Sequence, residues 1–329
     1  MRVAQIIASI LACGLWLTGA TVPSLAQNAP SQNWPQRTVK IIVPLPPGSG
    51  TDIATRMFAE RLSARWGQPV VVENRQGGDG IPAVMAFLAD RDNHTLLLSF
   101  GGIITINPLV HARLPYDPIR DLVPISPITN NFLAIAATES LKVDSIDGLK
   151  RAARAEPGKL NWAATPGLPL YAFEALLKNA GIEMVQVAYR DFMPALQDFS
   201  QGRIQFAATS VLPLLTQANA GNGKVLAVLN RVRYPVAPEI PTIAEAGHPE
   251  LTLDAIVGLY GWRDIPDDLK ERIAADVRAV GTDPAIAPRL IAGGSVVTTG
   301  TPAEFAATIE QQRTTVLRMS QASAQTPKL

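Results

Sequence analysis

The stretch VPLPPGSGTD, residues 43–52, closes an apolar run (Val39-Lys40-Ile41-Ile42-Val43) with prolines and glycines and then opens a helix. A strand that passes through a glycine loop straight into a helix belongs to an open α/β sheet. The helix must fold back over the strand to bury its own apolar stripe. The pattern recurs along the chain. Apolar runs predict strands over residues 39–45, 69–73 and 94–100, with helices over 52–66 and 81–89 between them. In the first helix Ala54, Phe58, Leu62 and Trp66 repeat every fourth residue, and Gly67 is the stop.

A second unit of the same kind begins near residue 130. It carries strands over 132–137, 160–164, 184–189, 204–209 and 224–229, with a helix capped by Ser145 and another over 169–179. From residue 251 a strand to 260 leads into helices over 266–280, 284–291 and 302–319. These elements divide the chain into lobe 1 over 34–130, lobe 2 over 131–250, and a return to lobe 1 with C-terminal helices over 251–329. A 47% hydrophobic, 17% charged composition over 329 residues is enough to fill two such cores. Ligands of open sheets gather at the carboxyl ends of the strands, so the glycine loops of both lobes point into a common cleft.

Residues 1–26 read as a signal peptide, followed by a polar linker over 27–33. Arg2 is the positive start, Val3 to Ala20 the apolar stretch, and Ser24-Leu25-Ala26 a small-x-small cleavage site. Two other readings stay open: an uncleaved anchor, since a span needs ~18 residues, and a lipoprotein through Cys13. The Gly19-Ala20 exit and the cleavage site favour the signal. Cleavage after Ala26 removes the single cysteine, and the loss of Arg2 from 29 basic residues leaves 28 against 28 acidic ones. The expected product is soluble, exported to the periplasm and free of disulfides. Its neutral balance, with no basic stripe, argues against nucleic acid.

Several chemistries fail on the letters. His94, His111 and His248 are scattered, with no metal-ligand neighbour at the spacing a site needs. Gly48-Ser49-Gly50 is not a hydrolase G-x-S-x-G elbow, and no histidine stands out as a triad base. A P-loop would end in GK[ST], and a dinucleotide fingerprint would want a small residue where Ile53 stands. The loop still offers backbone N–H groups at a helix start, which attract an anion. With no Lys or Arg in the loop, a carboxylate suits it better than a phosphate. Asp52 is expected to cap its own helix, and its charge further discourages phosphate. Gly48 and Gly50 are read as positions needing close approach or φ > 0.

Together these stretches resemble the periplasmic substrate-binding proteins of tripartite tricarboxylate transporters, the TctC or Bug family. The resemblance runs from about Trp34 to Met319. It is carried by VPLPPGSGTD, WGQPVVVENR, TLLLSFGGIITINP, LPYDPIRDLVPI, AEPGKLNWAAT, VAYRDFMPALQDFSQG and PTIAEAG in that order. It implies a two-lobed periplasmic-binding-protein (Venus-flytrap) fold of type II, without cofactor and without catalysis. A small carboxylated ligand would lie between the lobes, one carboxylate held near the first loop largely through ordered water and backbone. The implied first-lobe residues are Pro47, Gly48, Gly50, Thr51 and Asp52, with Gly101 and Gly102 after the third strand. The implied second-lobe residues are Thr165, Gly167, Tyr189 and Thr209, and to these we add Leu168, Tyr171 and Arg190.

The chain departs from the family pattern where a ligand is read. It has Leu168-Pro169-Leu170-Tyr171 in place of Gly-Ser-x-x-His, Tyr189-Arg190-Asp191 in place of Tyr-Lys-Gly, Thr209 in place of Asp, and Ile103 in place of Thr or Ser. Such a pocket favours a mono- or dicarboxylate with an apolar or aromatic body over an amino acid or a citrate-like tricarboxylate. Tyr171 and Tyr189 can stack on a ring, although Tyr171 fits helix packing equally well. Arg190 either turns inward to a distal carboxylate or stays in solvent. The expected function is capture of this ligand by a monomer and delivery to a membrane permease. The alternatives are a sensor acting on a membrane receptor and, with less support, a secreted carboxylate-processing enzyme.

Overall fold

Successive residues of the first strand face two different apolar layers, and this sets the architecture. Ile41 packs with Phe58, Leu62 and Leu98 on one face, while Ile42 packs with Phe87, Leu97 and Tyr260 on the other. A sheet buried on both faces must be covered by helices on both. The structure is a computed structural model describing residues 33–189 and 191–324. The leader expected over 1–26, nearly all of the linker and Arg190 lie outside the described residues.

The chain begins β1 (Val39–Val43), α1 (Gly50–Trp66), β2 (Val70–Asn74), α2 (Ile81–Asp90) and β3 (Thr95–Phe100). Two single-turn helices follow, α3 (Gly102–Thr105) and α4 (Asn107–Val110), then β4 (Leu122–Asn131). After one residue the chain enters the second sheet as β5 (Leu133–Thr138). There it forms α5 (Ile146–Ala155), β6 (Asn161–Ala164), α6 (Leu168–Ala180), β7 (Val185–Gln186) and α7 (Phe192–Ser200). Then come β8 (Phe206–Ser210), α8 (Val211–Asn219) and β9 (Gly223–Val228). The return runs through β10 (Ala255–Trp262), α9 (Asp267–Gly281), α10 (Ala287–Ala292), β11 (Ser295–Val297) and α11 (Pro302–Ala324).

The first sheet has the order β11-β4-β10-β3-β1-β2 and the second β7-β6-β8-β5-β9. β1 runs parallel to β2 and β3, with Val39 opposite Val70 and Lys40 opposite Thr95. β10 returns antiparallel to β3. The chain therefore passes from one sheet to the other at Asn131–Leu133 and back between Val228 and Ala255.

Most expected elements form, with Gly67 ending α1 in the left-handed conformation. Three differ. The expected strand over 184–189 keeps only Val185–Gln186 in the sheet, and the strand expected over 251–260 begins at Ala255. β4 is not among the expected strands, and Pro124 and Pro127 are residues that ordinarily argue against a paired one. It forms because its pairing with β10 is irregular at both prolines. Val257 faces Thr129 and Gly258 faces Pro127, skipping Ile128; Leu259 faces Ser126 and Tyr260 faces Pro124, skipping Ile125. Each skip is a bulge that absorbs a missing N–H.

The second sheet is also buried on both faces. Ile135, Trp162, Phe173 and Phe206 fill one layer, and Phe132, Phe199 and Tyr234 the other. Each such aromatic stabilises by roughly 1.5–3 kcal/mol on full burial. Helix α11 packs against the cores of both sheets: Phe305 and Ile309 sit in the first-sheet core, while Val316 and Met319 pack with Phe173 and Leu176 of α6. The described residues from Trp34 onward form one compact unit, and no helix among the described residues is long and apolar enough to cross a membrane.

Candidate ligand-binding cleft

The first loop is built by its own side chains. Ser49 N–H donates to the Pro46 carbonyl at 3.2 Å, and Gly48 turns the chain with φ 81°. The helix cap is Ser49, whose hydroxyl accepts from Asp52 N–H at 3.3 Å. Asp52, expected to be the cap, instead stands at the third helical position and reaches back. Its Oδ2 accepts from Gly48 N–H at 2.9 Å, a reciprocal arrangement akin to a capping box. Its other oxygen accepts from Asn74 Nδ2 at 2.8 Å, and Asn74 Nδ2 also donates to the Leu45 carbonyl at 2.9 Å. Arg56, one helical turn on, donates from Nε to Asp52 Oδ2 and from Nη2 to Asn74 Oδ1, both at 2.9 Å.

Asp52 is 1% exposed. Burial alone would push its carboxyl up, but hydrogen bonds from Arg56, Gly48 and Asn74 outweigh it and hold the group below its usual range. A buried carboxylate with these donors is ionised and compensated. The Gly48 N–H is thereby taken, contrary to the expectation that both glycines leave their N–H groups open. Among the described residues, no protein acceptor stands against the N–H groups of Gly50 and Thr51. Gly50 is already helical, so it needs no left-handed backbone. A methyl placed on it would stand 3.8 Å from the Gly293 carbonyl oxygen, its nearest neighbour.

At the end of β3, Gly101 donates its N–H to the Ile256 carbonyl at 3.1 Å, and Gln312 Oε1 packs directly over its Cα. Its small size thus has a packing cause. Gly102 opens α3, and a Cβ there would lie 3.0 Å from the Phe100 ring. Ile103 is fully buried among Ile42, Val84 and Phe87, so it belongs to the first-lobe core rather than to a pocket wall.

In the second lobe Thr165 N–H extends the sheet to the Ala208 carbonyl at 3.1 Å. Gly167, at φ 92°, opens α6, followed by half-buried Leu168 and buried Pro169. Tyr171 is half-buried and packs against the second-lobe core, the bland one of its two readings. Tyr189 donates its hydroxyl to Asp198 Oδ2 at 2.5 Å. Burial and that bond push its pKa up to about 12. Its ring packs on the core while its hydroxyl is engaged. Thr209 is buried in β8, opposite Ala134.

The loops of the two lobes meet at two places. The side chain of Ile106 lies 3.5 Å from the Cβ position of Gly102 and 3.7 Å from that of Gly167. The turn Gly293-Gly294 approaches Gly50 on one side, and on the other a Cβ placed on Gly294 would lie 3.4 Å from Leu212 at the start of α8. The structure thus brings Gly102 and Gly167 together about Ile106, sets Gly50 beside the 293–294 turn, and gives Gly48 and Asp52 to the internal bracing of the loop. Sequence reasoning missed Ser49, Arg56, Asn74, Ile106 and the 293–294 turn. Two signals were present: Ser49-x-x-Asp52 has cap spacing, and Asp52 and Arg56 are four residues apart on a helix. Among the described residues no cluster of acids, histidines or cysteines can hold a metal ion.

Two sheets, each wrapped by helices, with two chain crossings between them, are the architecture of a two-lobed solute-binding protein. The profile described as "Tripartite tricarboxylate transporter family receptor" (TctC) matches residues 54–322. The chain belongs to that family, and so to the periplasmic solute-binding proteins of the TctC/Bug type rather than to the enzymes. It is 31% identical to Protein BugT of Bordetella pertussis over 230 residues, 69% of this chain and 71% of that one. It is 30% identical to a UPF0065 protein from the tcbD-tcbE intergenic region of Pseudomonas sp. strain P51, over 88% of this chain and 86% of that one. Among solved structures, Rpa4515 of R. palustris with adipate superposes with a TM-score of 0.76 at 27% identity, covering 88% of this chain and 98% of that one.

Proposed function

We propose that the protein captures a small mono- or dicarboxylate with an apolar body in the cleft and delivers it to the membrane subunits of a tripartite tricarboxylate-type transporter. The observation that carries this reading is the pair of N–H groups on Gly50 and Thr51, without protein acceptors at the start of a 17-residue helix. Such groups and the helix dipole favour a carboxylate by about 0.3–2 kcal/mol. Asp52 does not oppose it, because Arg56 compensates its charge from behind the loop.

The rest of the cleft supports an apolar body. Ile106, between Gly102 and Gly167, and Leu168 are apolar, and Thr209 offers no charge to an ammonium group. Rpa4515 was solved with adipate, a flexible aliphatic dicarboxylate. In this reading Gly167, Leu168 and Thr209 contact the ligand from the second lobe. Lobe 1 comprises residues 34–130 with 251–329, and lobe 2 residues 131–250. The leader is removed after Ala26, and the mature chain acts as a monomer.

The test is a melting-shift panel on the mature protein with adipate, other short dicarboxylates, aromatic monocarboxylates, citrate, aspartate and glutamate. At ~100-fold excess over Kd a true ligand stabilises by about 2.7 kcal/mol. Preference for citrate or an acidic amino acid overturns the reading.

A further inference from the structure

We propose that Asn74 is a positioning residue for ligand capture: with Arg56 it holds the Asp52 carboxylate away from the Gly50 and Thr51 N–H groups. The proposal rests on the carboxylate reading above and goes further, because it identifies what keeps those donors free.

Asn74 is the last residue of β2 and stands opposite Val43, the last residue of β1. Its side chain therefore reaches the loop at the point where β1 leaves the sheet. The amide is fully determined by its neighbours. Two acceptors, the Leu45 carbonyl and Asp52 Oδ1, face its nitrogen at 2.9 and 2.8 Å, and one donor, Arg56 Nη2, faces its oxygen at 2.9 Å. Asp at this position could not donate to either acceptor. An aliphatic residue would leave the buried carboxylate one donor short, a costly state.

The consequence follows from where Asp52 sits. A carboxylate at the third position of a helix lies within reach of the first N–H groups and is attracted by the same dipole that would attract a ligand. It is thus an internal competitor for the site. Here its Oδ1 is held by Asn74 and its Oδ2 by Gly48 and Arg56, so both oxygens are turned back into the loop. Without Asn74, Oδ1 has lost its donor, and the open N–H groups of Gly50 and Thr51 are the nearest replacements in sequence. Removal of Asn74 should lower affinity by letting the protein's own carboxylate occupy the ligand's place.

The experiment combines two readouts. Calorimetry with adipate compares wild type, Asn74→Ala and the double variant Asn74→Ala/Asp52→Asn. Amide exchange on ligand-free, [15N]glycine-labelled protein follows Gly48 and Gly50. In Asn74→Ala, adipate affinity should fall roughly tenfold, Gly48 should lose protection and Gly50 should gain it. Asp52→Asn in that background removes the competing charge and should recover most of the affinity. A merely structural defect would not be rescued in this way. Wild-type affinity with unchanged Gly48 and Gly50 exchange in Asn74→Ala overturns the proposal, as does a double variant no better than the single. If wild type binds no carboxylate, the functional reading fails, and the ligand-free exchange pattern alone decides the role of Asn74. Should Asn74→Ala not fold, Arg56→Ala at the half-exposed end of the same brace must show the same exchange of protection between Gly48 and Gly50.

Discussion

Arg56 Nε lies 2.9 Å from Asp52 Oδ2, one helical turn behind the glycine loop. The pair answers how a loop without a basic side chain can receive an anion while carrying an acid. The cation stands outside the loop and cancels the acid from behind, so the front offers only N–H dipoles. That arrangement suits a single carboxylate and provides little for a phosphate's second charge.

Gly48 and Gly50 should respond differently to substitution. Gly48 has φ 81°, where a side chain costs about 1–2 kcal/mol. Gly48→Ala is therefore expected to lower Tm. Gly50 is helical, and a Cβ there meets the Gly293 carbonyl oxygen only at an ordinary 3.8 Å, so Gly50→Val should fold normally and cover the N–H groups beside it. A loss of about 1–3 kcal/mol in binding is expected where a ligand's hydrogen bonds are blocked. Calorimetry and melting on both variants check this, and full affinity in folded Gly50→Val would show that the ligand does not approach there.

Asp52 also predicts an acid response. Its folded pKa is held below the unfolded value of about 3.9, despite burial, by Arg56, Gly48 and Asn74. Its contribution to stability is complete above the unfolded pKa and is lost as pH falls through the folded one. Arg56→Ala removes the largest of the lowering influences and leaves burial to push the carboxyl up. The acid-unfolding transition, followed by circular dichroism, should then move to higher pH. Coincident transitions for the variant and wild type would mean that the pair does not hold Asp52 ionised.

Much of this was legible in the sequence because strands, glycine loops and helices are short-range patterns. β1, α1 and their turn follow from apolar spacing within residues 39–67. The cause of the small residue at Gly101 was not legible, since Gln312, which packs over it, comes from the far end of the chain. β4 was not legible either, since it carries two prolines whose bulges exist only once β10 lies beside them. At the site, the type of each loop residue was readable but its role was not. Whether Asp52 meets a ligand, caps a helix or braces the loop depends on Asn74, which reaches it from another strand.

Tyr260 is fully buried beside Phe305, with ring centroids 5.2 Å apart, and its hydroxyl has no hydrogen-bond partner among the described residues. Burial pushes its pKa up. An unpaired buried hydroxyl costs about 1–3 kcal/mol, so Tyr260→Phe should raise stability by about 1 kcal/mol in denaturant titration. A clear loss of stability would reveal a partner for that hydroxyl.

The two chain crossings are tied to each other by one side chain, and this gives the last prediction. Asn230, fully buried, accepts from Leu133 N–H at 3.0 Å and donates to Asn130 Oδ1 at 3.1 Å and the Asn131 carbonyl at 2.9 Å. Asn130 in turn donates to Asp254 Oδ1 at 2.8 Å, and Arg231 Nε donates to Asp254 Oδ2 at 2.8 Å. The segments at 130–133 and 229–254 thus share one network where the lobes join. Asn230→Asp keeps the size and the bond from Leu133 but turns the donor into a second acceptor, facing two oxygens. At neutral pH it should cost about 2–4 kcal/mol, as buried acceptors and a charge are left without partners. Those surroundings favour the protonated acid, so the introduced carboxyl has a raised folded pKa. The deficit is largest above that raised pKa and shrinks as pH falls towards the unfolded value, where the acid can again donate. Denaturant midpoints for wild type and variant at pH 7 and near pH 4.5 measure both effects. Equal midpoints at pH 7, or a deficit that grows on acidification, would mean that Asn230 does not tie the crossings together.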